Sequence, residues 1–171
     1  MSPPRHYRRG DGEGRRHPER LAKEDYRRPG TVIFVTFCRK AQFNLHQPHV
    51  CEAVAAAGAC MGLKYGVRVE AYCVMPDHVH IAVQILRETA EFEKWVRYTK
   101  RESQRAIDGH MLWQRSFWDE SAKGDPHIRA MVLYTLENPV RQGLCRRYDE
   151  WPYSWSRWHP ETRGPDPDSY T

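Results

Sequence analysis

His78 and His80 are separated by one apolar residue in Met75-Pro76-Asp77-His78-Val79-His80-Ile81-Ala82-Val83. Side chains alternate faces along a strand, so the two imidazoles share one face while Val79 and Ile81 share the other. Two neutral imidazoles side by side begin a metal site. A third ligand must come from elsewhere in the chain. Tyr134-Thr135-Leu136-Glu137-Asn138-Pro139-Val140 supplies a candidate, because Tyr134 and Asn138 stand four apart on one helical face. Ile128, Val132 and Thr135 form a different stripe of that helix, so packing does not obviously demand the tyrosine. Two imidazoles and an amide oxygen make a mixed site with open positions, suited to Mg²⁺ or Mn²⁺. Such an ion polarises a phosphoryl oxygen, and a phenol beside it is a candidate nucleophile. A phenol ionises near pH ~10 in water, so it needs help from the metal or a base. Each residue also has a plainer role: a hydrogen-bonded His-x-His, a packing tyrosine, an asparagine at a helix end before proline. The chemical reading rests on their combination.

The elements that position these groups follow from periodicity. Pro29-Gly30 marks the start of the folded part. Thr31 to Cys38 is β-branched and aromatic throughout and reads as a central strand. Residues 48 to 62 read as a helix, with Pro48 in its first turn and Gly62 or Gly66 at its end. Val67 to Val74 alternates as a strand, with Val67, Val69 and Ala71 opposite Arg68, Glu70 and Tyr72. Pro76-Asp77 makes a hairpin-like connection to a third strand, His78 to Ile85. Glu88 to Ile107 is a second helix, with Lys94, Arg97, Arg101 and Arg105 as a basic stripe beside its apolar face. Such a stripe is usually a solvated face, and tracking phosphates is its sharper reading. Leu112 to Trp118 is expected as a fourth strand and Asp119 to Gly124 as a polar loop. Asp125-Pro126 opens the last helix, which Pro139 ends or kinks. The order is the ferredoxin-like βαββαβ pattern plus a C-terminal catalytic helix. This is an α+β fold whose antiparallel sheet leaves one face for the histidines.

Length and composition suit one domain with a real core; 40% of the 171 residues are hydrophobic. No apolar run reaches the ~18 residues that would span a membrane, and no signal-peptide core opens the chain. Five cysteines at 38, 51, 60, 73 and 145 contain no Cys-x-x-Cys pair. The odd count points to reduced thiols and a cytoplasmic protein. Residues 1 to 28 carry nine Arg/Lys against five Asp/Glu, a net +4 of the chain's +5. They are expected to form a disordered basic arm, solvated or adding phosphate contacts. Residues 29 to 158 form the domain, and residues 159 to 171 are expected to be a disordered tail.

The spacing of these stretches resembles one family. Met75-Pro76-Asp77-His78-Val79-His80 is similar to the His-hydrophobic-His motif of the single-tyrosine HUH transposases. Tyr134 to Leu144 resembles the Tyr-x-x-x-Asn-Pro-Val-x-x-Gly-Leu signature of the REP-associated tyrosine transposase branch. Trp113 to Asp119, Trp151-Pro152-Tyr153-Ser154 and Val35-Thr36-Phe37 resemble other segments of that branch. The resemblance implies metal-dependent cleavage and transfer of single-stranded DNA. Tyr134 would form a 5′-phosphotyrosine, with His78, His80 and Asn138 holding the ion. It further implies hairpin repeat DNA as substrate and a monomer or homodimer. The basic stripe and Arg115 become phosphate-contact candidates, and Trp118 or Trp155 candidates for stacking on unpaired bases. Asp77 stands where asparagine is common, Trp155 where a small residue is usual, and the loop after Asp119 departs from the branch.

Two other readings compete. The same fold serves nucleic-acid-binding modules without catalysis, which tight hairpin binding without cleavage would reveal. A structural zinc site is the third, and the lack of paired cysteines argues against it.

Overall fold

A computed structural model describes residues 20–40, 43–107 and 112–171. The elements are β1 (Val32–Cys38), α1 (Pro48–Tyr65), β2 (Val67–Val74), β3 (His78–Ile85), α2 (Phe92–Ile107), β4 (Trp118–Ala122), α3 (Asp125–Leu136), α4 (Asn138–Arg141) and β5 (Ser154–Ser156). The sheet order is β4-β1-β3-β2-β5, with every neighbouring pair antiparallel. Without β5 this is the ferredoxin-like arrangement that the element order predicts.

Alternation along β1 and β3 divides the molecule into three layers. Ile33, Val35, Phe37, Val79, Ile81 and Val83 face α1 and α2, where Val50, Val54, Phe92 and Trp95 complete the larger core. Val32, Phe34 and Ala82 face the other way, against Ile128, Met131, Val132 and Leu136 of α3. His78 and His80 follow Ala82's parity and so lie on the α3 side.

Four details differ from the sequence expectations. The first is β4, which is Trp118–Ala122 rather than Leu112–Trp118. Leu112 and Trp113 are buried by side-chain packing: Trp113 meets Phe37 edge-on at 6.0 Å, and its indole N–H donates to Ser103 Oγ at 3.1 Å. Their backbone makes a single bridge, Trp113 opposite Arg39, with Gln114 N–H donating to the Cys38 carbonyl at 2.8 Å, while the continuous ladder begins at Trp118 opposite Thr36. An edge strand tolerates polar residues because only one flank needs pairing.

The second is β2, whose register shifts between Val69 and Ala71. The bulge leaves Glu70 as the extra residue and reverses the alternation after it. Tyr72 and Val74 thereby join Val67 and Val69 on the α1 side, while Ala71 and Cys73 turn to the α3 side. Glu70 is 1% exposed, and its carboxylate accepts from Arg68 Nε at 2.7 Å and Trp158 Nε1 at 3.1 Å.

Third, α1 extends beyond residue 62 to Tyr65; of the two glycines expected to end it, Gly66 does so, with a φ of +75° that favours glycine. Gly62 instead permits close approach, since a Cβ there would lie 2.7 Å from the Val67 carbonyl oxygen.

Last, the termini are built into the domain. Tyr26, before the expected boundary, is buried, stacks on Phe92 at 5.0 Å and donates its hydroxyl to Asp119. Residues 159–171 are an ordered strap, not a loose tail. Tyr72 Oη donates to the Pro165 carbonyl at 2.7 Å, Arg157 grips Asp168 at 2.7 and 3.0 Å, and Asp166 caps a final helical turn, Pro167–Tyr170. The expected basic arm lies, up to residue 19, outside the described residues. Among the described residues no helix is long and apolar enough to cross a membrane.

Candidate active site

The histidine pair sits at the start of β3, where the hairpin from β2 delivers it to the sheet. His78 Nε2 and His80 Nε2 are 3.0 Å apart. Each ring is held from behind through its other nitrogen. His78 Nδ1 is 2.7 Å from Asp77 Oδ1, and His80 Nδ1 is 2.8 Å from Thr36 Oγ1. The partners decide the tautomers. A carboxylate only accepts, so His78 carries its proton on Nδ1 and leaves Nε2 as a lone pair. Thr36 both donates and accepts, so it suits either tautomer of His80. The chain of donors then runs from Thr36 through His80 and His78 to Asp77. Burial, then His78 and then Arg141 hold the proton affinity of His80 well below the usual imidazole range. A ring that stays neutral is a ring that can ligate.

This donor set fits a divalent ion. Two nitrogens on adjacent corners of an octahedron lie about 3.0 Å apart when each bond is ~2.1 Å, the bond length of a small hard cation. Both rings already have the outer partners that orient metal-bound histidines. Asn138, the first residue of α4, is buried. Pro126 opens α3 and Pro139 interrupts the helical ladder, so α3 and α4 meet at Glu137, between Tyr134 and Asn138. Among the described residues no cluster of three His, Cys, Asp or Glu side chains is suited to a metal.

Tyr134 is half-buried on α3. Arg141 lies over its ring, with Cζ 3.6 Å from the centroid. The guanidinium also donates to the Tyr134 carbonyl oxygen and lies 3.5 Å from Glu137 Oε2.

The remaining sequence candidates separate by layer. Trp118 is directly opposite Thr36, which is directly opposite His80. These three share one face, and Trp118 is 43% exposed there. Arg115 is exposed on the segment leading into β4. Lys94, Arg97, Arg101 and Arg105 lie on α2, across the sheet from the histidines. Lys94 pairs with Glu91, while Arg101 and Arg105 pair with Glu102. Trp155 is not a free platform: it is buried in β5 and stacked near Tyr72 at 6.4 Å. Thr36 and Arg141 escaped the sequence reading. Thr36 carried a signal only in hindsight of register, and Arg141 only as a basic residue seven positions after the tyrosine.

A three-layer α+β fold with paired histidines facing a tyrosine-bearing helix is the architecture of a single-tyrosine transposase. The chain matches the model of the IS200-like transposase family over residues 31–131, more than half its length, and belongs to that family. It is a transposase. The match covers His78 and His80 and stops just short of Tyr134. An Escherichia coli K12 protein named REP-associated tyrosine transposase is 27% identical over 86 residues, 50% of this chain and 52% of that protein. A Haemophilus influenzae relative of the same designation is 25% identical over 124 residues, 61% of this chain and 70% of its own. The solved structure of a REP-associated tyrosine transposase bound to a REP hairpin shares the fold. Its TM-score is 0.65 at 23% identity, covering 84% of this chain and 82% of that one.

Proposed function

We propose that this transposase cleaves and rejoins single-stranded DNA beside hairpin repeats, through a covalent bond between Tyr134 and a 5′ phosphate. The observation that carries the reading is the imidazole pair, anchored through both Nδ1 atoms with Nε2 atoms 3.0 Å apart, on the face that α3 covers. In cleavage the Tyr134 oxygen bonds to phosphorus, the bond from phosphorus to the 3′ oxygen breaks, and the phenol proton ends on that 3′ oxygen. Rejoining reverses each change on a new 3′ hydroxyl. One phosphodiester is exchanged for another, so no nucleotide is consumed.

His78, His80 and Asn138 are the residues that would hold Mg²⁺ or Mn²⁺, and the ion would supply polarisation of the phosphoryl oxygen. Trp118 stands two strands from His80, about 10 Å by strand spacing, and would stack on a base near the scissile phosphate. Arg115 would add a phosphate contact beside it. The α2 stripe, in the far layer, would meet a hairpin stem, not the cleavage point. The solved relative's hairpin partner supports hairpin DNA as the substrate class.

Covalent trapping tests the proposal. Labelled hairpins with single-stranded flanks are incubated with the protein and Mn²⁺, then run on a denaturing gel. The expected result is a protein–DNA band that disappears in Tyr134→Phe, in His78→Ala and with chelator. Tight hairpin binding with no such band would replace this reading with that of a non-catalytic binding protein.

A further inference from the structure

Arg141 appears in the sequence as one basic residue within Asn138-Pro139-Val140-Arg141. In the fold its guanidinium covers the Tyr134 ring at 3.6 Å and donates to the Tyr134 carbonyl. Glu137 holds it from the other side at 3.5 Å, and a third of the side chain stays exposed.

The plain account is a helix staple. Pro139 has no N–H to continue the ladder, so a side-chain donor near the end of α3 is locally useful. A staple explains the bond to the carbonyl. It does not explain why the cation lies over the ring.

We propose that Arg141 is a positioning residue for the nucleophile: it clamps the Tyr134 ring and keeps a positive charge beside it through both halves of the reaction. The inference rests on the reading of Tyr134 as nucleophile and deepens it. A cation over an aromatic face is held more strongly as the ring gains electron density. The tyrosine oxygen carries partial negative charge when it attacks phosphorus and again when it departs with the bonding pair. A fixed cation near the ring favours both transition states, so it speeds cleavage and rejoining alike. Arginine suits the task because it remains charged at any working pH and presents a planar group to the ring.

The test compares wild type, Arg141→Gln, Arg141→Lys and Tyr134→Phe. Four quantities are measured: single-turnover adduct formation on a flanked hairpin, rejoining of the isolated adduct with a free 3′ hydroxyl strand, hairpin affinity, and melting temperature. Glutamine keeps a donor without the charge. It is expected to slow both chemical steps by about 100-fold, the usual scale for losing one charge-stabilising group, with affinity and melting temperature unchanged. Lysine is expected to recover at least about tenfold of that loss. Unchanged rates in Arg141→Gln, slowing of one step only, or a rate loss that tracks a fall in melting temperature with no rescue by lysine would overturn the inference. If wild type forms no adduct, or Tyr134→Phe still forms one, the reading of Tyr134 fails and the inference falls with it. A normal wild-type adduct matched by Arg141→Gln sinks the inference alone.

Discussion

Asp77 shows how much a single atom type can decide at this site. A carboxylate beside His78 Nδ1, at 2.7 Å, fixes the tautomer and makes the ring a stronger donor through Nε2. An amide in its place could present either oxygen or nitrogen, and its hydrogen bond would be neutral. With His78 as the proposed ligand, Asp77→Asn is expected to weaken Mn²⁺ binding by roughly tenfold, the low end for an outer partner of a ligating histidine. Titration calorimetry of the free protein checks this, and an affinity equal to wild type would show that the carboxylate does not tune the pair. Thr36 is a different case. Its hydroxyl serves His80 by being able to reverse its direction, a property a valine of the same shape lacks.

At the scale of elements, the join between α2 and the segment before β4 is made by a buried amine. Lys100 donates to the carbonyls of Gln114 at 3.0 Å and Ser116 at 2.7 Å, and lies over the rings of Phe37 and Phe117. Two carbonyls and two rings replace water but bring no anion, so burial pulls its pKa from 10.5 down to about 8. The unfolded chain then binds the proton more tightly than the folded one. Between pH ~8 and ~10.5 the unfolded state carries more protons, so the contribution of Lys100 to stability rises with pH across that window and is lost as pH falls through 8. Buried tyrosines and thiols such as Cys51 shift upward and act in the opposite sense over the same range. The quantity to measure is thus a difference. The gap in unfolding free energy between wild type and Lys100→Met is expected to widen in favour of wild type from pH 8 to 10.5 in denaturant titrations. A gap independent of pH would show that the amine is not desolvated.

The whole molecule is closed by its last residues. The strap from Arg157 to Tyr170 crosses the edge of β2, satisfies the Tyr72 hydroxyl and the Glu70 carboxylate, and reaches α1 where Cys60 Sγ meets the Tyr170 carbonyl at 3.3 Å. Gly164 allows this closeness, because a Cβ there would lie 2.5 Å from Tyr72 Oη and 2.7 Å from the Ser154 carbonyl. Removing residues 159–171 would uncover Tyr72 and leave its hydroxyl without its carbonyl acceptor. Such a truncation is expected to cost about 2 kcal/mol or more, and to lower the melting temperature by roughly 5 °C for a domain of this size. A thermal melt unchanged by truncation would mean that the strap is not part of the cooperative unit.

Much of this protein is set by local pattern. β3 and its histidines, the hairpin before them, the sharp start at Asp125-Pro126 and the break at Pro139 are legible because their causes lie within a few residues: alternation, turn chemistry, the missing proline N–H. The βαββαβ order follows from the same signals. Other features depend on what meets across the fold. Trp113 looks like a strand residue and makes one bridge, to Arg39, but only β1 decides that the ladder along its edge starts at Trp118. The bulge at Glu70 becomes visible once a register exists, and it moves Tyr72 to one layer and Cys73 to the other. Thr36 is one β-branched residue among several until β1 is laid against β3. Arg141 is one more basic residue until the interrupted helix sets it over Tyr134. The tail looks polar and loose in one dimension because partners such as Tyr72 and Cys60 are distant in sequence. Distance along the chain hides these contacts, and the register of the sheet creates them.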